Sequence, residues 1–168
     1  APDENYSREL QELFTIGKDP VTNMGPYTEA DVKQAARVLT GWRINNSTYI
    51  SFFDATRHDS GNKQFSTFYN NTVVTGRTGA NGALETDDLL NMIFAKNEVA
   101  AFIVRKLYRW FIYYTIDAAT ESNVIQPLAA IFQNNNYDIK PVLTTLLKSE
   151  HFFDVLNQGC QIKSPVDQ

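Results

Sequence analysis

Apolar residues recur at helical spacing along most of the chain. Tyr6, Leu10, Leu13 and Phe14 stand at i, i+4, i+7 and i+8, one face of a helix of about three turns that Gly17 closes in a left-handed C-cap. After a loop holding Pro20, Gly25 and Pro26, Thr28 with Asp31 three residues on makes an acidic capping box. Val32, Ala35, Ala36 and Leu39 then continue as a second amphipathic helix stopped at Gly41. From Trp42 to about Tyr69 the helical period gives way to β-formers, among them Ile44, Ile50, Phe52, Phe53 and Phe65, around the turn-forming Asp59-Ser60-Gly61-Asn62. This pattern predicts one small β-hairpin.

A glycine-rich loop from Gly76 to Gly82 leads to Thr86, the expected cap of a helix with Asp87 and Asp88 in its first turn and Leu89, Leu90, Ile93 and Phe94 on its buried face. Asn97 is the expected cap of the most hydrophobic segment, Val99 to Tyr114, with apolar residues all round, the mark of a helix surrounded by others. Val124, Leu128, Ile131 and Phe132 predict a further helix in which Pro127 lies in the first turn or makes a kink, so its start is left open. Asp138 caps the last long one, with Ile139, Val142, Leu143, Leu146 and Leu147 on one face and Pro141 near its start. A short turn through Phe152, Phe153 and Leu156 follows. The expected fold is mainly α, a multi-helix bundle around a central apolar helix with one small β-hairpin, in a single domain over 1–168.

Composition narrows the class. With 43% hydrophobic and 20% charged residues the chain is globular. A formal net charge of −4, with 15 lysines and arginines, gives no basic field for a phosphate backbone, so nucleic acid is not an expected partner. No segment reaches the roughly 18 consecutive apolar residues of a membrane span. The single Cys160 has no cysteine to pair with and no local histidine to activate it. The chain enters helix-forming sequence almost at once and closes on the turn-like Ser164-Pro165-Val166-Asp167-Gln168; the expectation is a C-terminal piece of a longer protein.

Candidate chemistry centres on His58-Asp59, beside Asp54 and just before a glycine turn. A carboxylate that fixes an imidazole tautomer is the start of an acid/base or metal site; against it stands the plainer reading of an Asx-turn at Asp59 with His58 packed on the hairpin. The expectation is that His58 and Asp59 line a concave site with Arg37, Trp42 or Lys63 nearby, and that His58→Ala affects function more than folding. The second histidine, His151, suits a structural role at a helix end. The loop Gly76 to Gly82 lacks the Gly-Lys-Ser/Thr ending of a phosphate loop, and Asp87 and Asp88 would repel an anion there. Arg105 and Arg109, one turn apart on the apolar helix, require carboxylate partners if buried, with Glu9 and Glu12 as candidates.

Several stretches carry a resemblance: Asn5-Tyr6-Ser7-Arg8-Glu9-Leu10 with Glu12-Leu13-Phe14-Thr15-Ile16-Gly17, Ala36-Arg37-Val38-Leu39-Thr40-Gly41-Trp42, His58-Asp59-Ser60-Gly61-Asn62-Lys63, Tyr137-Asp138-Ile139-Lys140-Pro141-Val142 and Lys163-Ser164-Pro165-Val166. In this order they resemble the bacterial family called domain of unknown function 1800, over nearly the whole chain and matching the C-terminal part of its longer members. Ser7 stands where that family usually has Ala, and Lys18 to Pro26 departs from its short glycine-rich turn. The resemblance implies a mostly helical domain of bacterial, often exported proteins, placed outside the cytoplasm or in the cell envelope, and names no reaction and no cofactor. Two function classes follow. One is a binding or scaffolding module, which needs only a surface. The other is an enzyme, a hydrolase for example, with His58 and Asp59 catalytic and its site completed by the absent N-terminal part, which is also an expected contact of this chain.

Overall fold

The computed structural model describes residues 2–18, 24–157 and 159. Cys160, the Lys163–Val166 motif and most of the Lys18–Pro26 loop lie outside them. The described chain is mainly helical, with two small antiparallel strand pairs, and forms two compact units, residues 1–96 and 97–168.

In the first unit, α1 (Glu4–Glu9) runs on into a π-helical turn, Leu10–Thr15, and the chain turns at Gly17 with φ 79°. The spacing assigned Tyr6, Leu13 and Phe14 to the core; they are exposed, and Ser7, Gln11 and Thr15 are buried instead. The reason is close packing on α2 (Glu29–Val38). Small Ser7 donates its hydroxyl to the Val32 carbonyl at 2.8 Å, and the Gln11 amide oxygen accepts from the buried Tyr69 hydroxyl at 2.6 Å. Each buried polar group is thereby satisfied, the condition for burying it at all. The Thr28–Asp31 capping box is formed as the sequence predicts. Asp31, itself buried, also accepts from the amide and hydroxyl of Ser66, tying the start of α2 to the turn at Thr67–Tyr69.

The hairpin turn expected at Asp59–Asn62 lies instead at Asn45–Ile50, between β1 (Trp42–Ile44) and β2 (Ser51–Phe53). Asn45 builds it: its side-chain oxygen accepts from the amides of Ser47 and Thr48. The segment after Asp59 leads instead into a second pair, β3 (Lys63–Gln64) with β4 (Val73–Val74). The glycine-rich stretch is a 3-10 helix, Gly79–Leu84, running straight into α3 (Glu85–Phe94). With no break there to cap, Thr86 sits inside α3, and its hydroxyl accepts from the Trp42 indole at 2.9 Å.

In the second unit, α4 (Asn97–Phe111) buries Ala100, Ala101, Val104 and Tyr108 along one stripe, while Trp110 is exposed, so burial does not run all round. The stripe packs with Ile125, Leu128 and Phe132, and with Val142 and Leu146. These come from α5 (Ala118–Thr120), which continues through a π-helical turn into α6 (Gln126–Asn134) with Pro127 in its first turn, and from α7 (Ile139–Leu147), capped by Asp138. A single turn, α8 (Glu150–Phe153), follows, with His151 stacked on Tyr108 and 3.0 Å from its hydroxyl.

Arg105 does meet a carboxylate, that of Glu121, through two hydrogen bonds of 2.9 and 2.6 Å; Glu12 pairs with Lys18. The Arg105 hydrogen bonds hold the Glu121 carboxyl below its usual range against the opposing effect of burial. Arg105→Ala is expected to cost about 1–2 kcal/mol in urea unfolding, the value of a two-pronged charged hydrogen bond that water partly replaces.

Candidate functional site

The end of α2 positions the first pieces. Thr40 follows its last turn, and Gly41, at φ 95°, lets the chain reverse where a Cβ would lie 2.7 Å from the Phe53 ring. A 3-10 turn, Ala55–Arg57, capped by Asp54, then delivers His58 back to Thr40. His58 Nδ1 lies 2.9 Å from the Thr40 carbonyl oxygen, and the Asp59 amide donates to the Thr40 hydroxyl oxygen at 2.8 Å. That hydroxyl spends its own proton on the Arg37 carbonyl at 2.7 Å.

The partner of His58 is Glu85, the first residue of α3, with Nε2 3.0 Å from Oε1. Both ring nitrogens therefore have oxygen partners inside the fold. Glu85 also accepts from Lys63 Nζ at 2.5 Å and from the Arg77 amide at 2.6 Å, and Lys63 donates to the Asp59 carbonyl. The side chains of His58, Glu85 and Lys63 are 2%, 0% and 0% exposed. Burial pushes the Glu85 carboxyl up, but the hydrogen bonds from Lys63, His58 and Arg77 outweigh it and hold the group below its ordinary value. Gly82 makes room for the ring, since a Cβ there would lie 2.6 Å from His58 Cδ2.

Asp59 turns away from His58. Its carboxylate takes Arg37 in a two-pronged pair of 2.7 and 3.0 Å and accepts the Gly61 amide, the Asx-turn of the plainer reading. Asp54 holds Thr56 and lies 3.7 Å from Arg43 and 3.5 Å from Arg57. Of the expected group, then, Lys63 joins His58 through Glu85, Arg37 joins Asp59, and Asp54 stands apart. Arg37 holds the Asp59 carboxyl down at about 2. A group depressed from 3.8 stabilises the fold fully above about pH 4, and that stabilisation is lost as the pH falls towards about 2. Melting temperature followed from pH 5 downward is therefore expected to fall less steeply in Asp59→Asn than in the parent.

His58 and Asp59 border a groove of about 620 Å³ together with Thr40, Trp42, Arg43 and Arg57. Among the described residues no three His, Cys, Asp or Glu side chains are placed to hold a metal ion, and no described helix is long and apolar enough to cross a membrane. Glu85 is hidden in the sequence because Thr86, next to it, has the chemistry of a helix cap. A signal for it exists: Lys63 and Phe65 alternate onto one face of a strand run, and a lysine on an apolar face calls for a buried carboxylate.

The exposed counterpart of this cluster is the β1–β2 hairpin. Tyr49, Ile50 and Ile44 are 84%, 66% and 63% exposed, with Trp42 and Phe52 also open to solvent. Tyr49 has φ 56°, a left-handed conformation that costs a non-glycine residue roughly 1–2 kcal/mol. Comparison with curated proteins and with solved structures returns no match. A family model does match, over residues 1–168, and the chain belongs to that family, described as protein of unknown function (DUF1800).

Proposed function

We propose that this chain is a binding or scaffolding module of an exported bacterial protein, and that its contact surface is the β1–β2 hairpin. The observation that carries this reading is the group of exposed apolar side chains at Ile44, Tyr49 and Ile50, held out on a ribbon whose turn contains a strained tyrosine. Strain kept in a surface turn, and apolar area left in water, are both costs that a partner offsets. The His58–Glu85–Lys63 cluster supports the same reading from the other side. Its donors and acceptors are spent on one another, which suits a frame that holds the hairpin's base through Phe53, 5.2 Å from the His58 ring.

The test is sedimentation of the purified chain with a bacterial cell-envelope fraction. The parent is expected to sediment with the envelopes, and Ile44→Ser/Ile50→Ser to lose at least about tenfold of that retention at unchanged melting temperature, since both side chains are mostly in water. Equal retention of parent and variant overturns the hairpin as the contact surface.

A second reading, an enzyme of hydrolase type with His58 and Asp59 catalytic, is favoured by the groove that both residues border. It requires His58→Ala to abolish turnover in an esterase and peptidase screen of a longer protein containing this chain, without loss of folding.

A further inference from the structure

We infer that the outer edge of β1 is a strand-addition site for an extended peptide carrying an acidic side chain. The inference rests on the hairpin being the contact surface and names how it is used. The register pairs Trp42 with Phe53, Arg43 with Phe52 and Ile44 with Ser51. Hydrogen bonds run from the Asp54 amide to the Gly41 carbonyl and from the Asn45 amide to the Ile50 carbonyl. Antiparallel pairs alternate between bonded and non-bonded, so the amides and carbonyls of Trp42 and Ile44 point away from β2. Among the described residues the sheet has two strands and none continues it beyond β1, and no described residue hydrogen-bonds these four backbone groups.

Side chains on both faces suit an added strand. Trp42 and Ile44 stand on one face, and Phe52 stands on the other, across from Arg43. A strand laid along β1 has its own side chains on both faces in alternation, so apolar ones meet Trp42 and Ile44 while the intervening one meets Arg43. Charge selects that intervening residue. Between Trp42 and Arg57 the chain has two arginines, both substantially exposed, against the single carboxylate of Asp54. An acidic side chain opposite Arg43 completes the pairing. The same charge disfavours a second copy of this chain, because an antiparallel pairing of two β1 edges centred on Arg43 sets arginine against arginine.

The probe is a capped pentapeptide, Thr-Val-Glu-Val-Thr, titrated into the ¹⁵N-labelled chain. Shifts centred on the Trp42 and Ile44 amides are expected, with binding in about the millimolar range for so short an edge. The same peptide N-methylated on both valines is expected to lose at least about tenfold in affinity, and a lysine in place of its glutamate about fivefold. Arg43→Glu reverses the last preference. Equal binding of the N-methylated peptide, or no response at Trp42 and Ile44, overturns strand addition, and equal binding of the lysine peptide overturns the acidic requirement. If the peptide fails while envelope retention still depends on Ile44 and Ile50, only this inference falls, with a lipid or glycan surface as the contact. If retention also fails, the binding-module reading falls with it.

Discussion

Replacing Glu85 with alanine is expected to be the most damaging single change in the first unit, at about 3–5 kcal/mol, the cost of leaving a buried charge without its partner. The substitution strands Lys63 Nζ and His58 Nε2, both inside the fold, and removes the acceptor of the Arg77 amide. In a thermal melt this corresponds to a fall on the order of 10 °C for a chain of this size. Lys63→Met/Glu85→Leu removes both charges together and is expected to lose less than the sum of its two single changes, since an apolar pair of similar volume replaces an ion pair at little net cost. Because the Glu85 carboxyl is held below its ordinary value, its stabilisation is present above about pH 4.5 and is lost as the pH falls through the lower folded value. A melt of Glu85→Ala within a degree or two of the parent would contradict the buried cluster.

Gly76→Ala is expected to be nearly as costly, by a different route. A Cβ at Gly76 would lie 2.0 Å from the Ser60 carbonyl oxygen and 2.7 Å from the Gly61 carbonyl carbon, both backbone atoms that cannot rotate aside. The Gly76 amide also donates to the Asn62 side chain at 3.0 Å, so moving one strand of chain away from the other loses that bond. About 3 kcal/mol is the expected loss, at the upper end of overpacking penalties. Gly79→Ala is the control. It has open space at its Cβ but a φ of 60°, so backbone strain of about 1 kcal/mol is its whole cost. Urea unfolding of the two variants side by side checks the order, and amide exchange places the added opening at residues 59–62.

Signals that act over a few residues were legible in the sequence. The Thr28–Asp31 box, Gly17 at positive φ and Asp138 as a cap all follow from local backbone chemistry and all stand where the spacing puts them. Features settled between distant segments were not. The buried face of α1 is polar because Ser7 and Gln11 meet Val32 and Tyr69, and no periodicity in residues 4–16 records those partners. The hairpin turn is not at Asp59 because Asp59, though a turn former, has its carboxylate held by Arg37 and does not join paired strands. His58 was legible as a residue with a role. Its partner was not, since Glu85 is 27 residues away and its place at the start of α3 depends on the 3-10 helix before it.

The separation of a buried frame from an exposed contact surface is tested most directly by one paired measurement on His58→Ala and Ile44→Ser/Ile50→Ser, a thermal melt with envelope sedimentation of each at a temperature where both are folded. With the His58 side chain buried against Glu85 and Phe53, His58→Ala is expected to melt several degrees below the parent and sediment like it, while the hairpin variant is expected to melt like the parent and stay in solution. The opposite pattern, with His58→Ala fully stable but unable to bind and the hairpin variant binding normally, would contradict the account.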